Sequence, residues 1–164
     1  MNCKYLDPKL KERYMIDFKK LLSITKPTWK LDPGLRDIFI KINSNEHIHT
    51  LYSKKHDIND LYKDDSYLKF CYSKEVEKNL FRSLLPELIL NYNSLSDTIL
   101  YYEFYYPKKN PNYRESDNEI GLGCTDDKDY FCINHLGVYL KSSNMDTHNE
   151  FWEDLERNLC NLKP

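Results

Sequence analysis

The 164-residue chain is expected to adopt an α+β fold, an antiparallel-rich sheet with helices packed against it, in a single domain spanning residues 1–164. Three observations lead there. Both ends carry apolar residues at helical spacing, the middle and the carboxyl-terminal third carry short alternating aromatic and β-branched runs, and these two kinds of segment are segregated along the chain instead of alternating regularly. A composition of 40% hydrophobic and 14% aromatic residues with 30% charged supplies a core, and a chain of this length buries roughly two thirds of its unfolded surface.

The first helix is expected over 8–24. Asp7-Pro8 reads as an N-cap followed by a first-turn proline, and Leu10, Tyr14, Phe18, Leu21 and Leu22 fall on one stripe before Pro27 stops it. Asp32-Pro33 repeats that start signal ahead of Leu35, Ile38, Phe39 and Ile42, which predicts a short second helix. Ile38, Ile40 and Ile42 also alternate, as in a strand, and the proline decides for helix. Strands are expected at 47–52 and 67–72, with a helical turn at 57–62 between them. Ser73 then caps a helix through Val76, Leu80, Phe81 and Leu84, which Pro86 ends or kinks. Thr98 to Tyr106 is the clearest strand, and 107–118 is a polar loop with two prolines. Strands at about 119–124, 130–134 and 137–141 follow, the last two joined by a tight His135-Leu136-Gly137 connection. A closing helix is expected over 147–161, with Thr147 and Glu150 as a capping box and Phe151, Leu155, Leu159 and Leu162 inward. No internal repeat stands out in the sequence.

Charge is distributed unevenly. Residues 1–82 carry 17 Lys+Arg against 12 Asp+Glu, and residues 83–164 carry 7 against 14. Residues 115–157 hold 11 acids and only Lys128, Lys141 and Arg157 as bases, a poor match for a nucleic-acid backbone and a good one for a cationic partner. The opening Met1 to Tyr5 lacks the apolar run of a secretory signal, and no stretch reaches the roughly 18 apolar residues of a membrane span, so a cytoplasmic location is expected. Five cysteines without a C-x-x-C pair are expected to be reduced and mostly buried.

Candidate chemistry is sparse. His47-Ile48-His49 would point two imidazoles to one side of a strand, as a metal or acid–base site requires, but no third histidine stands at ligand spacing; surface histidines on an edge strand are the plainer reading. Asp126, Asp127 and Asp129 lack the spacing of a calcium loop, and Gly121-Leu122-Gly123 lacks the rest of a phosphate loop. Tyr101, Tyr102, Tyr105, Tyr106 and Tyr113 gather around Phe104 and the long loop. Such residues serve a core or an interface, and beside Lys108, Lys109 and Arg114 they would also suit stacked single-stranded nucleic acid.

Two segments, "LDPGLRDIFIKINSNE" at 31–46 and "IGLGCTDDKDYFCINHLGVYLK" followed by "EFWEDLERNL" in the carboxyl-terminal third, resemble the SUKH superfamily, whose bacterial members are mostly immunity proteins that neutralise toxins. The chain departs from the family pattern where Asp32 intervenes between Leu31 and Pro33 and where Asn43-Ser44 replaces Asn-Gly. The resemblance implies helices against a sheet, and binding in place of catalysis.

The functional expectation is an immunity-type protein that binds a cognate toxin domain one to one, a cationic nuclease fitting best, with no cofactor, metal, membrane, nucleic acid or small-molecule substrate involved. Its partner-binding residues would be Glu115, Asp117, Glu119, Asp126, Asp127, Asp129, Glu150, Glu153, Asp154, Tyr105 and Tyr113. Two alternatives stay open: a small hydrolase or nuclease using His47, His49 and carboxylates, and a single-stranded nucleic-acid module using Tyr105, Lys108, Lys109, Tyr113 and Arg114.

Overall fold

A computed structural model describes residues 5–23, 33–57, 65–105 and 133–164. In chain order these form α1 (Pro8–Leu22), a 3-10 turn (Pro33–Leu35) leading into α2 (Arg36–Asn43), β1 (Ile48–Lys54) and β2 (Asp65–Tyr72). A helical run follows, comprising a 3-10 turn (Lys74–Val76), α3 (Glu77–Asn79), a π-helical turn (Leu80–Leu84) and α4 (Leu85–Asn93). β3 (Thr98–Tyr105), β4 (His135–Ser142) and α5 (Met145–Cys160) complete the order. The expected α+β class, with helices packed on an antiparallel sheet, is what these elements form.

The sheet order is β1-β2-β4-β3, with every neighbouring pair antiparallel. Because β2 and β3 both flank β4, they run parallel to each other, and the helical run between them provides the crossover that parallel strands need. Leu68, Phe70 and Tyr72 of β2, Leu100 of β3, and Leu136, Val138 and Leu140 of β4 point to one face. There they join Phe39 and Ile42 of α2, Leu85, Leu88 and Tyr92 of α4, and Phe151, Trp152, Leu155 and Leu159 of α5 in the main core. A smaller cluster of Leu6, Tyr14, Leu51, Tyr52, Cys71 and Ile133 lies at the β1 end of the opposite face, and α1 reaches both clusters through Phe18 and Tyr14.

Local chemistry explains the element ends. The Asp7 carboxylate accepts the Leu10 N–H at 2.7 Å, as the cap reading requires, with Pro8 in the first turn. Pro86 does not end its helix. Leu85 N–H donates to the Leu80 carbonyl, one residue further back than in an α-helix, and Pro86 has no N–H to continue the ladder, so the chain widens into a π-turn and resumes as α4.

One helix–turn–strand unit occurs twice. Asn43 ends α2; its side-chain oxygen accepts Thr50 N–H at 2.8 Å, while its amide donates to the Thr50 hydroxyl at 2.9 Å. Asn93 ends α4, accepts Leu100 N–H at 2.7 Å and donates to the Leu100 carbonyl at 3.1 Å. Ser44 and Ser94, the next residues, each donate to a carbonyl of the helix just left. Both carboxamides therefore clamp a helix end to an outer strand, β1 or β3, a likeness that the differing neighbours conceal in the sequence.

Several expectations need correction. His135-Leu136-Gly137 is no turn. All three lie inside β4, opposite Tyr105, Phe104 and Glu103 on one side and Cys71, Phe70 and Lys69 on the other. The glycine belongs there because the Tyr139 ring lies flat across it, and a Cβ at Gly137 would meet that ring at 2.7–2.9 Å. Ile133 and Asn134, expected in a strand, precede β4 without belonging to one. The closing helix starts earlier than expected: Asn144 is its N-cap, accepting Asp146 N–H at 2.9 Å, and Thr147 is buried within the first turn. The expected strands at 119–124 and 130–132, the loop at 107–118 and the helical turn beyond Asp57 lie outside the described residues. Cys71 and Cys160 are not bridged in disulfides, and Cys71 is buried as expected.

The clamps differ in burial, Asn43 being enclosed and Asn93 exposed. Asn43→Ala leaves a buried N–H and hydroxyl unpaired and is expected to cost about 2 kcal/mol; Asn93→Ala, where water replaces the lost partners, is expected to cost about 1 kcal/mol or less. Urea unfolding midpoints at unchanged m-value measure both.

Candidate partner-binding surface

The surface that best fits a docking role lies on α5, and its outer face depends on how its inner face is held. Phe151, Trp152, Leu155 and Leu159 enter the main core. His148, fully buried one turn from the start, joins the helix to the sheet. Its Nε2 donates to the Ser142 carbonyl at 2.7 Å, since a carbonyl only accepts, which leaves Nδ1 to accept the Ser66 hydroxyl at 2.8 Å. Ser66 in turn accepts the His56 N–H at 2.9 Å, and the His56 and His148 rings stack at 4.5 Å. At the other end, the Asn45 amide donates to the Leu159 and Leu162 carbonyls at 2.8 and 2.9 Å, satisfying acceptors that a helix end leaves open.

With that inner face anchored, α5 presents its carboxylates from a fixed support. Asp146, Glu150 and Glu153 are exposed, and their spacings of four and three place them in one stripe about 10 Å long. None of the three has an ion-pair partner among the described residues. The neighbouring acids are engaged. Asp154 pairs with Arg157 and accepts the Tyr92 hydroxyl at 2.6 Å, and Glu156 pairs with Lys41 at 2.7 Å. Tyr92 is held well above the usual phenol range, by burial first and by Asp154 next, so it stays a donor. The Lys41 ammonium is pushed up, chiefly by its hydrogen bond to Glu156. Glu150 and Glu153 are thus exposed and unpaired among the described residues, Asp154 is committed to its own neighbours, and Asp146 is a stripe member that the expected set left out, although its helical spacing carries the signal.

The structure does not bring Tyr105 to this surface. It lies on the opposite face of the sheet, where its ring stacks on His135 at 4.6 Å and lies under the Lys69 ammonium at 4.8 Å. Its hydroxyl contacts Tyr139 and donates to Glu103 at 2.6 Å, and burial followed by these two neighbours raises its pKa. Tyr139 also stacks on Tyr101 at 5.1 Å, so Tyr105 belongs to a tyrosine cluster on that face and its ring is already in contact. Glu115, Asp117, Glu119, Asp126, Asp127, Asp129 and Tyr113 lie outside the described residues, as do Lys108, Lys109 and Arg114.

The histidine reading changes too. His47 precedes β1, and its Nδ1 meets the Ser73 hydroxyl at 2.7 Å. His49 is fully buried, not a surface residue, with Tyr14 and Phe18 of α1 packed on its ring. Among the described residues no three His, Cys, Asp or Glu side chains are grouped to hold a metal ion. The pair with a catalytic layout, Ser66 and His148 with the Ser142 carbonyl behind, was hidden because its members are 82 residues apart. Both side chains are 0% exposed, and each hydrogen bond ties α5 to a strand, which makes the pair a structural joint.

Ser66→Ala strips partners from His148 Nδ1 and the His56 N–H together and is expected to cost about 2–3 kcal/mol, read from urea unfolding. A change below about 0.5 kcal/mol would contradict the role of joint.

No protein-family model, curated protein or solved structure matches this chain.

Proposed function

We propose that this chain is an immunity-type binding protein, of the kind its SUKH-like segments suggest, acting in the cytoplasm to neutralise a cationic toxin domain. The observation that carries this reading is the stripe of Asp146, Glu150 and Glu153, exposed together and without ion-pair partners among the described residues, on a helix whose other face is locked into the core. Three carboxylates along about 10 Å of helix form a field comparable in reach to the Debye length of about 8 Å at physiological salt. Such a field speeds encounter with a basic surface and pairs with the lysines and arginines that a nuclease uses on phosphate, so the partner is masked without any chemistry by the inhibitor. The rigid support favours this use, because little conformational freedom remains to be lost on docking. A one-to-one complex of standard size would bury roughly 800 Å² on this side.

Co-expression with the product of the neighbouring gene is expected to yield a stable one-to-one complex and to rescue growth from that product's toxicity; the absence of both complex and rescue would overturn the assignment. In that complex, Glu150→Lys combined with Glu153→Lys should lower the association rate constant by about tenfold at low salt and flatten its salt dependence, with folding stability nearly unchanged. Stopped-flow association at two ionic strengths measures this, and an unaltered rate would remove the α5 stripe from the interface.

A further inference from the structure

The geometry points to an acid-released latch: α1 is held across the β1 edge by packing on a neutral His49 imidazole, and protonation of that ring frees α1 and bares the Cys71 side of the sheet.

The buried side chains of α1 are Lys11, Tyr14 and Phe18, one stripe of spacing three and four, and all three converge on His49. The Tyr14 ring lies 5.1 Å from the imidazole and tilted against it, and Phe18 meets it edge-on at 6.1 Å. The Lys11 ammonium donates to the Asn43 carbonyl at 2.8 Å and to the Ile48 carbonyl, at the end of α2 and the start of β1, and it acts on His49 as a nearby positive charge. His49 is 0% exposed, and neither ring nitrogen has a hydrogen-bond partner among the described residues. A phenylalanine or leucine would fill the same space without burying two unpaired polar atoms, so packing alone does not account for an imidazole here.

The described titratable groups on the His49 side of the sheet are Lys11 and Tyr14 from α1, Tyr52 from β1, Cys71, directly opposite His49, with Tyr67 and Lys69 from β2, and His135, opposite Cys71 on β4. Among the described residues, none of these supplies a negative charge to an imidazolium at neutral or mildly acidic pH. Burial first and the Lys11 ammonium second push the His49 pKa down to about 3. Burial also lowers Lys11 to about 8, so its ammonium persists in acid. With α1 released, His49 is hydrated and regains the ordinary value of 6.5. The released form therefore binds the extra proton between 6.5 and about 3. Latch stability is fully present above 6.5 and drains as pH falls, by about tenfold in the opening equilibrium per pH unit. Release uncovers Leu51, Tyr52 and Cys71, while the main core around Trp152 rests on other contacts.

The test uses the full chain, with Cys71 labelled by a pyridyl disulfide reagent that remains reactive in acid. Rates are located by peptide mass mapping and normalised at each pH to the urea-unfolded chain. Hydrogen-exchange protection of β4 and α5, corrected for intrinsic rates, reports on the main core. From about pH 7 to about pH 5, normalised Cys71 labelling is expected to rise roughly twenty- to thirtyfold while β4 and α5 stay protected. The same measurement on His49→Phe, which keeps the aromatic packing, is expected to be flat. Should that variant not fold, His49→Leu takes its place, and the wild-type profile still decides. Flat wild-type labelling, an equal rise in the variant, or a rise that accompanies loss of protection in β4 and α5 would each overturn the latch.

Discussion

The sheet depends on two side-chain amides. β1 and β3 are its outer strands among the described elements, and each is held to the helix before it by an asparagine that bonds the third residue of the strand. An outer strand has backbone groups paired on one side only, so its position is the least determined by the ladder itself. Asn43 and Asn93 supply the missing constraint. By fixing α2 to β1 and α4 to β3, they set the width over which the helical layer spans the sheet, and the inner strands β2 and β4 fill the space between.

That frame leaves the outer face of α5 and the opposite face of the sheet differently occupied. α5 closes the helical layer and is held by a buried polar joint at His148, by apolar contacts along its middle and by Asn45 at its end. Buried hydrogen bonds in a medium of low polarity are strong when complete, and each ring nitrogen of His148 has its partner. The opposite face spends its tyrosines on one another, with Tyr101, Tyr139 and Tyr105 joined by stacking and hydroxyl contact. The outward carboxylates Asp146, Glu150 and Glu153 of α5 are spared such pairing among the described residues, and Asp146, in the first turn, is also favourable to the helix itself.

The two fully buried histidines, His49 and His148, show how context divides one residue type. His148 is satisfied on both nitrogens and joins elements, whereas His49 is satisfied on neither and sits beside a cation. Local preferences in a stable protein normally agree with its fold, and a site where they disagree is where a function is to be sought. His49 is such a place, and it lies beneath Tyr14 and Phe18, two of the three buried side chains of the helix resting on it.

The sequence by itself determined the fold class, the Asp7 cap, the helices α1, α2 and α5, and the segments of β1, β2 and β3, because these follow from near-neighbour rules of capping, periodicity and side-chain shape. It also marked Glu150 and Glu153, since helical spacing is local. Tertiary structure alone decided that β4 lies between β2 and β3, that Gly137 serves ring packing instead of a turn, that Ser66 meets His148, and that Tyr105 and α5 occupy opposite faces. The physical reason is the same in each case: a glycine, a serine or a histidine has the same local preferences on a surface as in an interior. Only contacts between residues far apart in the chain settle which surroundings it meets.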